Sequence, residues 1–221
     1  MKPVCLVLGA GAGIGGTVAT KFAQEGYHSS LCRRSDKEGL DRLVKNIEDQ
    51  GGSANGYIMN AIEDNAIEEV ITSIESDIGP IEVLVYNLGA QTGMKLLDQT
   101  SHKEFEWGWR MASFGLFRAA KVLCPLMLER GKGTFLVTSA TAAMRGNMNQ
   151  HSHAAAMGAR RMLCQSLNAE FSSQGIHVVH IVVDGAVDAP DTLGKMMGPK
   201  CIRSLGKQKA WSMMGYCFLK K

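Results

Sequence analysis

The sequence contains little proline, no long uninterrupted apolar run and no closely spaced cysteine pair. Five prolines in 221 residues exclude collagen-like and proline-rich segments. No uninterrupted apolar run approaches the roughly 18 residues that span a bilayer, and no charged n-region with a cleavage site precedes the first strand-like run. The sequence therefore predicts a soluble, cytoplasmic protein with no membrane partner.

The cysteines and the charges exclude further classes of protein. Six widely spaced cysteines without a C-x-x-C motif favour small buried residues in a reducing compartment over disulfides or a zinc site. A net charge of +3 does not indicate nucleic-acid binding. Residues 192–221 nevertheless carry seven basic and no acidic side chains. A nucleic-acid or membrane-surface binder acting through this tail would rest on composition alone, so neither partner is predicted.

Short apolar runs alternate with segments of helical period. The runs lie at 4–8, 29–32, 54–59, 81–86, 134–138 and 176–183. Two of the intervening helices are expected to begin with capping boxes, at Ser35 with Glu38 and at Ser101 with Glu104. This alternation predicts an α/β fold: a Rossmann-type doubly wound parallel sheet of about six strands with helices on both faces.

Length and composition favour one domain, over residues 1–191, followed by a short basic C-terminal tail over 192–221. The tail shows no convincing strand. The tail either folds on a partner or an acidic surface, or is a partly ordered remnant.

The segment from 105 to 130 is apolar over a wider surface than one stripe packed on a sheet requires. It is either a central core helix or a helix with a second face that a partner subunit covers. With the helix near 150–172, it is the predicted interface of a homodimer.

Glycines crowd the link between the first strand and the first helix. Gly9, Gly13 and Gly15 allow a tight turn and let backbone N–H groups approach a pyrophosphate at the helix N-terminus. About 20 residues further on, where an acidic residue would hold the ribose of NAD, the chain has Arg33 and Arg34. These arginines either bind a 2′-phosphate, which favours NADP(H), or are solvated residues of a loop.

Several ordered motifs between residues 3 and about 190 resemble those of the short-chain dehydrogenases/reductases. They are "GAGAGIG" at 9–15, "MNA" at 59–61, "YNLGA" at 86–90 and "DG" at 184–185. The resemblance implies a small carbonyl or alcohol substrate. It also implies a further helix and strand after about residue 190, which the sequence does not show, so the fold is expected to be truncated at its C-terminus. The residues assigned to the cofactor are Gly9, Gly11, Gly13, Ile14, Gly15, Arg33, Arg34, Asn60, Ala61, Asn87, Leu88, Gly89, Asp184 and Gly185.

The resemblance also implies a catalytic tyrosine, a lysine four residues later, a serine and an asparagine. Counted from the flanking motifs, the tyrosine falls at His153 and the lysine at Met157. The serine falls at Ala140 and the asparagine at Ala112. All four usual groups are replaced, which makes the chain either a reductase with a degenerate site or an inactive NADP(H)-binding sensor or partner subunit.

Two substitutes for the missing groups are His153 and Ser139. His153 is either an acid or base, since histidine titrates near neutral pH, or a histidine that lines a cavity or the surface. Ser139, with Thr141, either donates to a substrate carbonyl or is structural. His151 and His153 are not expected to bind metal, because residues two apart on a helix point in different directions.

Overall fold

The computed structural model describes residues 2–89 and 95–184, together with the backbone of 215–216. Its strands are β1 (Val4–Leu8), β2 (His28–Arg33), β3 (Ser53–Ile58), β4 (Ile81–Tyr86), β5 (Gly133–Ala140), β6 (Ile176–Val183) and β7 (Gly215–Tyr216). Its helices are α1 (Ile14–Gln24), α2 (Lys37–Asp49), α3 (Ala66–Asp77), α4 (His102–Trp109), α5 (Gly115–Arg130) and α6 (His151–Phe171).

The strands form a single sheet in the order β3-β2-β1-β4-β5-β6-β7. The first six are parallel, which confirms the Rossmann-type sheet predicted from the apolar runs. The chain turns from one half of the sheet to the other between β1 and β4. In open α/β sheets, ligands bind at such a switch point, outside the carboxyl ends of the strands.

Side-chain alternation along β1 divides the core between the two faces of the sheet. Val4, Leu6 and Leu8 pack in the cluster that contains residues of α3, α5 and α6. Cys5 and Val7 pack in the cluster that contains residues of α1 and α2. Because successive side chains of a strand point to opposite faces, one buried strand supplies both cores. The helices therefore lie on both faces of the sheet, as the sequence predicts.

The sequence predicts no strand beyond residue 191, and this prediction is wrong. Gly215 and Tyr216 pair antiparallel with Ile181 and His180 of β6. A two-residue strand is too short to show alternation, and a glycine within it weakens the sequence signal further.

One of the two predicted capping boxes is present. Ser101 caps α4, and the Glu104 side chain returns to the Ser101 backbone. The predicted box of Ser35 with Glu38 is wrong. Asp36 caps α2 instead: it adopts a left-handed backbone with φ 64° and accepts a hydrogen bond from the Gly39 N–H. Aspartate tolerates this conformation and is a strong helix cap, so it replaces the serine before it.

The apolar segment predicted between 105 and 130 consists of α4, a π-helical turn at Arg110–Phe114 and α5. By length and composition the helical stretch His102–Arg130, with a mean hydropathy of 1.4 in its most apolar window, is long and apolar enough to cross a membrane. However, 61% of that window is buried inside this fold, as in the core helix of a globular domain. The core-helix interpretation therefore accounts for much of its apolar character.

Candidate functional site

The glycine turn after β1 is sterically fixed by its own backbone. Gly9 has φ +93°, and a Cβ added there would lie 2.7 Å from the Asn87 carbonyl oxygen. A Cβ on Gly15 would lie 2.2 Å from the Gly9 carbonyl oxygen. Neither position accepts a side chain without displacing backbone. Gly11 differs, because a Cβ there meets no heavy atom of the described residues within 4 Å.

The turn directs the N-terminus of α1 at the carboxyl edge of the sheet. Gly13 caps the helix, and its carbonyl accepts the hydrogen bond of the Thr17 N–H at 3.2 Å. The N–H groups of Ile14 and Gly15 belong to the first turn, where no preceding helical carbonyl can accept from them. A helix N-terminus with unpaired N–H groups attracts phosphate.

The two arginines at the end of β2 lie in different environments. The Arg33 guanidinium donates to the Asp36 carboxylate at 2.8 Å, and its side chain is only 12% exposed. Arg34 is exposed and makes no hydrogen bond or ion pair with the described part of the chain. Sequence reasoning missed Asp36 because it lies after the arginines. Of the two arginines, Arg34 is therefore the one whose positive charge is available to a ligand.

Asn60 follows β3 and carries an unused buried acceptor. Its Nδ2 donates to Glu63 at 2.9 Å, whereas its Oδ1 is buried and has no hydrogen-bond partner among the described residues. A buried unpaired acceptor is energetically costly, and in this conformation the oxygen has almost no accessible surface through which a ligand could reach it. The neighbouring Ala61 is buried, and its carbonyl accepts from Arg118.

Asn87 joins three strands at the carboxyl edge of the sheet. Its Nδ2 donates to the Gly9 carbonyl at 2.9 Å, and its Oδ1 accepts from the Thr138 hydroxyl at 2.8 Å. The side chain thus links the glycine turn to the ends of β4 and β5. Leu88 and Gly89 follow Asn87 in the chain, and all three residues line a pocket at this edge of the sheet.

The structure brings most of the four replaced catalytic positions together. Ala112, Ala156 and Met157 are buried in one small apolar cluster, and Ala140 packs against it. His153 lies one turn before Met157 on α6 and is partly buried. Their assignment as the replaced catalytic positions stays a prediction. These side chains are apolar, at positions where the resemblance implies polar groups.

Ser139 and His153, the two predicted substitutes, are placed differently. Ser139 is 8% exposed, lines the pocket beside Asn87, and directs its hydroxyl at the Met157 sulfur at 3.7 Å. A thioether is a weak acceptor, so this hydroxyl can be redirected to a stronger one. His153 is not among the described residues that line that pocket.

Arg160 is the main residue that sequence reasoning missed. It is 1% exposed, and its guanidinium donates to three backbone carbonyls: Ala112 at 2.9 Å, Thr138 at 2.6 Å and Leu88 at 2.7 Å. The acceptors belong to the π-helical turn, to β5 and to the segment after β4. A sequence signal existed, since Arg160 follows Met157 by three residues and shares its helix face.

The cation of Arg160 is held without a carboxylate. Its guanidinium lies 5.2 Å from the centre of the Tyr86 ring, and no described acidic side chain forms an ion pair with it. Burial lowers the pKa of Arg160, although Tyr86 and Cys164 act in the opposite direction. Burial also raises the pKa of the Tyr86 phenol, which donates to the Met111 carbonyl at 2.6 Å.

These elements enclose a pocket of about 140 Å³ at the carboxyl ends of β4, β5 and β6. Its described lining includes Ile14, Asn87, Ser139, Met157 and Arg160. Asp184 follows β6 and is exposed, and Gly185 lies outside the described residues. Among the described residues, no group of three or more histidine, cysteine, aspartate or glutamate side chains is arranged to hold a metal.

Comparison with known proteins places this geometry in a family context. The model of the family described as short chain dehydrogenase matches residues 3–194. A 3-oxoacyl-[acyl-carrier-protein] reductase of Thermotoga maritima is 29% identical over 189 residues, which cover 86% of this chain and 76% of the reductase.

Two solved structures show the same architecture. A gluconate 5-dehydrogenase of Burkholderia cenocepacia in complex with NADP and tartrate superposes with a TM-score of 0.75 at 25% identity, covering 82% of this chain and 71% of the dehydrogenase. A short-chain dehydrogenase of Rhodopseudomonas palustris superposes with a TM-score of 0.74 at 27% identity, covering 96% and 95%.

Proposed function

Because this chain belongs to the short-chain dehydrogenase/reductase family, we propose that it binds NADP(H) and acts as an oxidoreductase on a small carbonyl or alcohol substrate. The observation that carries the proposal is the geometry at the carboxyl edge of the sheet. There the glycine turn, the N-terminus of α1 and the Asn87 bridge occupy the switch point of the sheet.

The residues present fit the adenine half of the cofactor. Asn60 and Ala61 follow β3 at the carboxyl edge of the sheet, at the positions that the resemblance assigns beside the adenine. The space beside Gly11 is open, which lets a pyrophosphate approach the backbone there. The exposed guanidinium of Arg34 suits a 2′-phosphate, with which it can form a charge-assisted bidentate bond. We therefore propose NADP(H) rather than NAD(H).

The chemistry of the site is reduced to few groups. NADP(H), when bound, supplies or accepts the hydride. The chain's own contribution to proton transfer falls to the Ser139 hydroxyl, which can turn from the Met157 sulfur to a carbonyl oxygen, and to His153. Since Met157 offers neither charge nor hydrogen-bond donor, turnover is expected to be orders of magnitude slower than in relatives with the usual four groups.

A second candidate function is an inactive NADP(H)-binding sensor or partner subunit. The observation that favours it is the cluster of Ala112, Ala140 and Met157, an apolar surface at the family's catalytic positions. Both functions share the same cofactor site and differ only in turnover.

We further propose that the protein is a cytoplasmic homodimer, with residues 1–191 as the NADP-binding domain and 192–221 as a short basic tail. Support for a dimer comes from exposed aromatic side chains on α4 and α5. Phe105, Trp109 and Phe117 are 45%, 42% and 46% exposed. Exposed large apolar groups on adjoining helices are typical of protein interfaces.

The cofactor assignment is tested by titrating the purified full chain with NADPH and NADH. NADPH is expected to bind at least about tenfold more tightly. Arg34→Ala should remove most of this preference, whereas Arg33→Ala should remove less, because Asp36 already holds Arg33. Equal affinities in the wild type, or an unchanged preference in both variants, would contradict the proposal for NADP(H).

A further inference from the structure

Arg160 supplies the only charge among the described residues that line the pocket beside Asn87. The other lining residues are Ile14, Asn87, Leu88, Gly89, Thr138, Ser139, Met157 and Val183, all of them uncharged. A buried cation without a carboxylate partner is expensive, because its hydration is lost and no counter-charge replaces it. Three carbonyl dipoles reduce this cost without neutralising the charge.

The position of Arg160 relates this charge to the missing lysine. On α6, Arg160 lies three residues beyond Met157, so both side chains are on the face that meets the ends of β4 and β5. The hydrogen bonds from the Arg160 guanidinium, together called the Arg160 clamp, also fix the backbone of the pocket, since they hold the Leu88 and Thr138 carbonyls in place. A cation held by three carbonyls therefore lies in the wall of the pocket at the carboxyl ends of β4, β5 and β6.

Resting on the proposed cofactor function, we infer that Arg160 makes the pocket selective for the reduced cofactor, so that NADPH binds more tightly than NADP⁺. The oxidised nicotinamide ring carries a positive charge, whereas the reduced ring is neutral. Like charges in a site of low effective dielectric constant repel, and the repulsion falls on NADP⁺ alone. A difference in affinity of about tenfold or more is expected for charges several ångströms apart.

The test compares calorimetric dissociation constants of the full chain for NADPH, NADP⁺ and 2′,5′-ADP, which lacks the nicotinamide. The wild type should bind NADPH about tenfold or more tightly than NADP⁺. Arg160→Gln should bring the two constants within about threefold. Arg161→Gln is the matched control, because it removes the same charge at the next position of α6, outside the described lining of the pocket. It should retain the preference.

A second pair of variants leaves the Arg160 clamp intact, in case Arg160→Gln does not fold. Met157→Glu places a carboxylate beside the guanidinium and should also reduce the preference to about threefold or less, while Met157→Gln should keep it. The inference is overturned if 2′,5′-ADP binds but the wild type does not distinguish NADPH from NADP⁺. It is equally overturned if Met157→Glu and Met157→Gln behave alike. If 2′,5′-ADP itself fails to bind, the proposed cofactor function fails instead.

Discussion

Three of the four replaced positions lie at the end of β5 and along α6, and the fourth, Ala112, lies in the π-helical turn. The backbone brings Ala140 and Met157 into one cluster and places His153 one turn away on the same helix, so only side-chain groups are missing. His153→Tyr, Met157→Lys and Ala140→Ser combined should therefore raise the rate of NADPH-dependent carbonyl reduction. General acid–base catalysis alone contributes about 10²- to 10⁴-fold.

Steady-state assays of the triple variant against a panel of small ketones and aldehydes would measure this effect. His153→Phe with Met157→Leu and Ala140→Val is the control, because it changes the same positions without adding functional groups. A triple variant no faster than this control, although folded and able to bind NADPH, would show that the scaffold itself is not competent.

Residue-level prediction from the sequence succeeds where one backbone geometry demands one residue type. Gly9 and Gly15 are such positions, since a side chain at either would collide with a carbonyl oxygen. Arg160 could not be predicted in this way. Its role depends on three carbonyls from Leu88, Ala112 and Thr138, which are far apart in the sequence and meet only in the folded chain.

Between β6 and α6, His180 makes the packing sensitive to pH. It is 2% exposed, and its Nε2 has no hydrogen-bond partner among the described residues. Burial, and to a lesser extent Arg160 and Arg161, lowers the pKa of His180 from 6.5 to about 4. The unfolded chain therefore takes up this proton first as the pH falls. His180 contributes full stability above pH 6.5 and loses it progressively towards pH 4.

The loss attributable to His180 between pH 7.5 and pH 5 is on the order of 1–2 kcal/mol in the free energy of unfolding. Denaturant titrations at the two pH values should show that His180→Leu removes this part of the pH dependence. His177→Asn, a change at the exposed histidine of the same strand, should leave it unaltered. An unchanged pH dependence in His180→Leu would contradict the assignment.

The N-termini of α4 and α2 give a matched comparison of helix caps. Ser101 accepts from the Glu104 N–H at 3.2 Å, whereas Asp36 caps α2 in place of Ser35. Ser101→Ala should lower the free energy of unfolding by about 1 kcal/mol, and Ser35→Ala should change it by less than about 0.5 kcal/mol. Denaturant titrations of the two variants measure these losses in the free energy of unfolding. Equal losses would mean that the cap of α2 is shared.

At the level of elements, the central strands β1 and β4 could be predicted because each is a short apolar run that is buried along almost its whole length. The runs 4–8, 81–86 and 176–183 match the observed strands residue for residue. The first residue of α2 and the pairing of β7 could not be read in the same way. The start of α2 depends on Asp36, which adopts the left-handed backbone conformation. The strand β7 consists of two residues, Gly215 and Tyr216, that pair with β6.

Over the whole molecule, the aromatic side chains of α4, the π-helical turn and α5 are the proposed centre of a homodimer interface. Trp109 stacks on Phe114 with ring centres 5.3 Å apart, and Phe114 stacks on Phe117 at 6.4 Å. Light scattering coupled to size exclusion should give twice the chain mass at micromolar concentration. Phe117→Glu should give a monomer, because it buries a charge at the contact.

Ile58→Glu is the control for this experiment. Ile58 is 48% exposed and belongs to β3 rather than to the helices of the proposed interface, so its substitution should leave the dimer intact. A monomeric wild type, or a Phe117→Glu variant that remains dimeric, would contradict the proposed interface.

If the fold keeps a cofactor site while the groups that transfer protons are replaced, as we propose, cofactor binding and turnover separate. The most direct measurement is a calorimetric titration of the wild type with NADPH, followed by an assay of NADPH consumption by the same sample with small carbonyl compounds. The account predicts saturable binding together with turnover orders of magnitude below that of relatives with the usual four groups. Absence of binding would contradict it, as would turnover at an ordinary rate that His153→Ala abolishes.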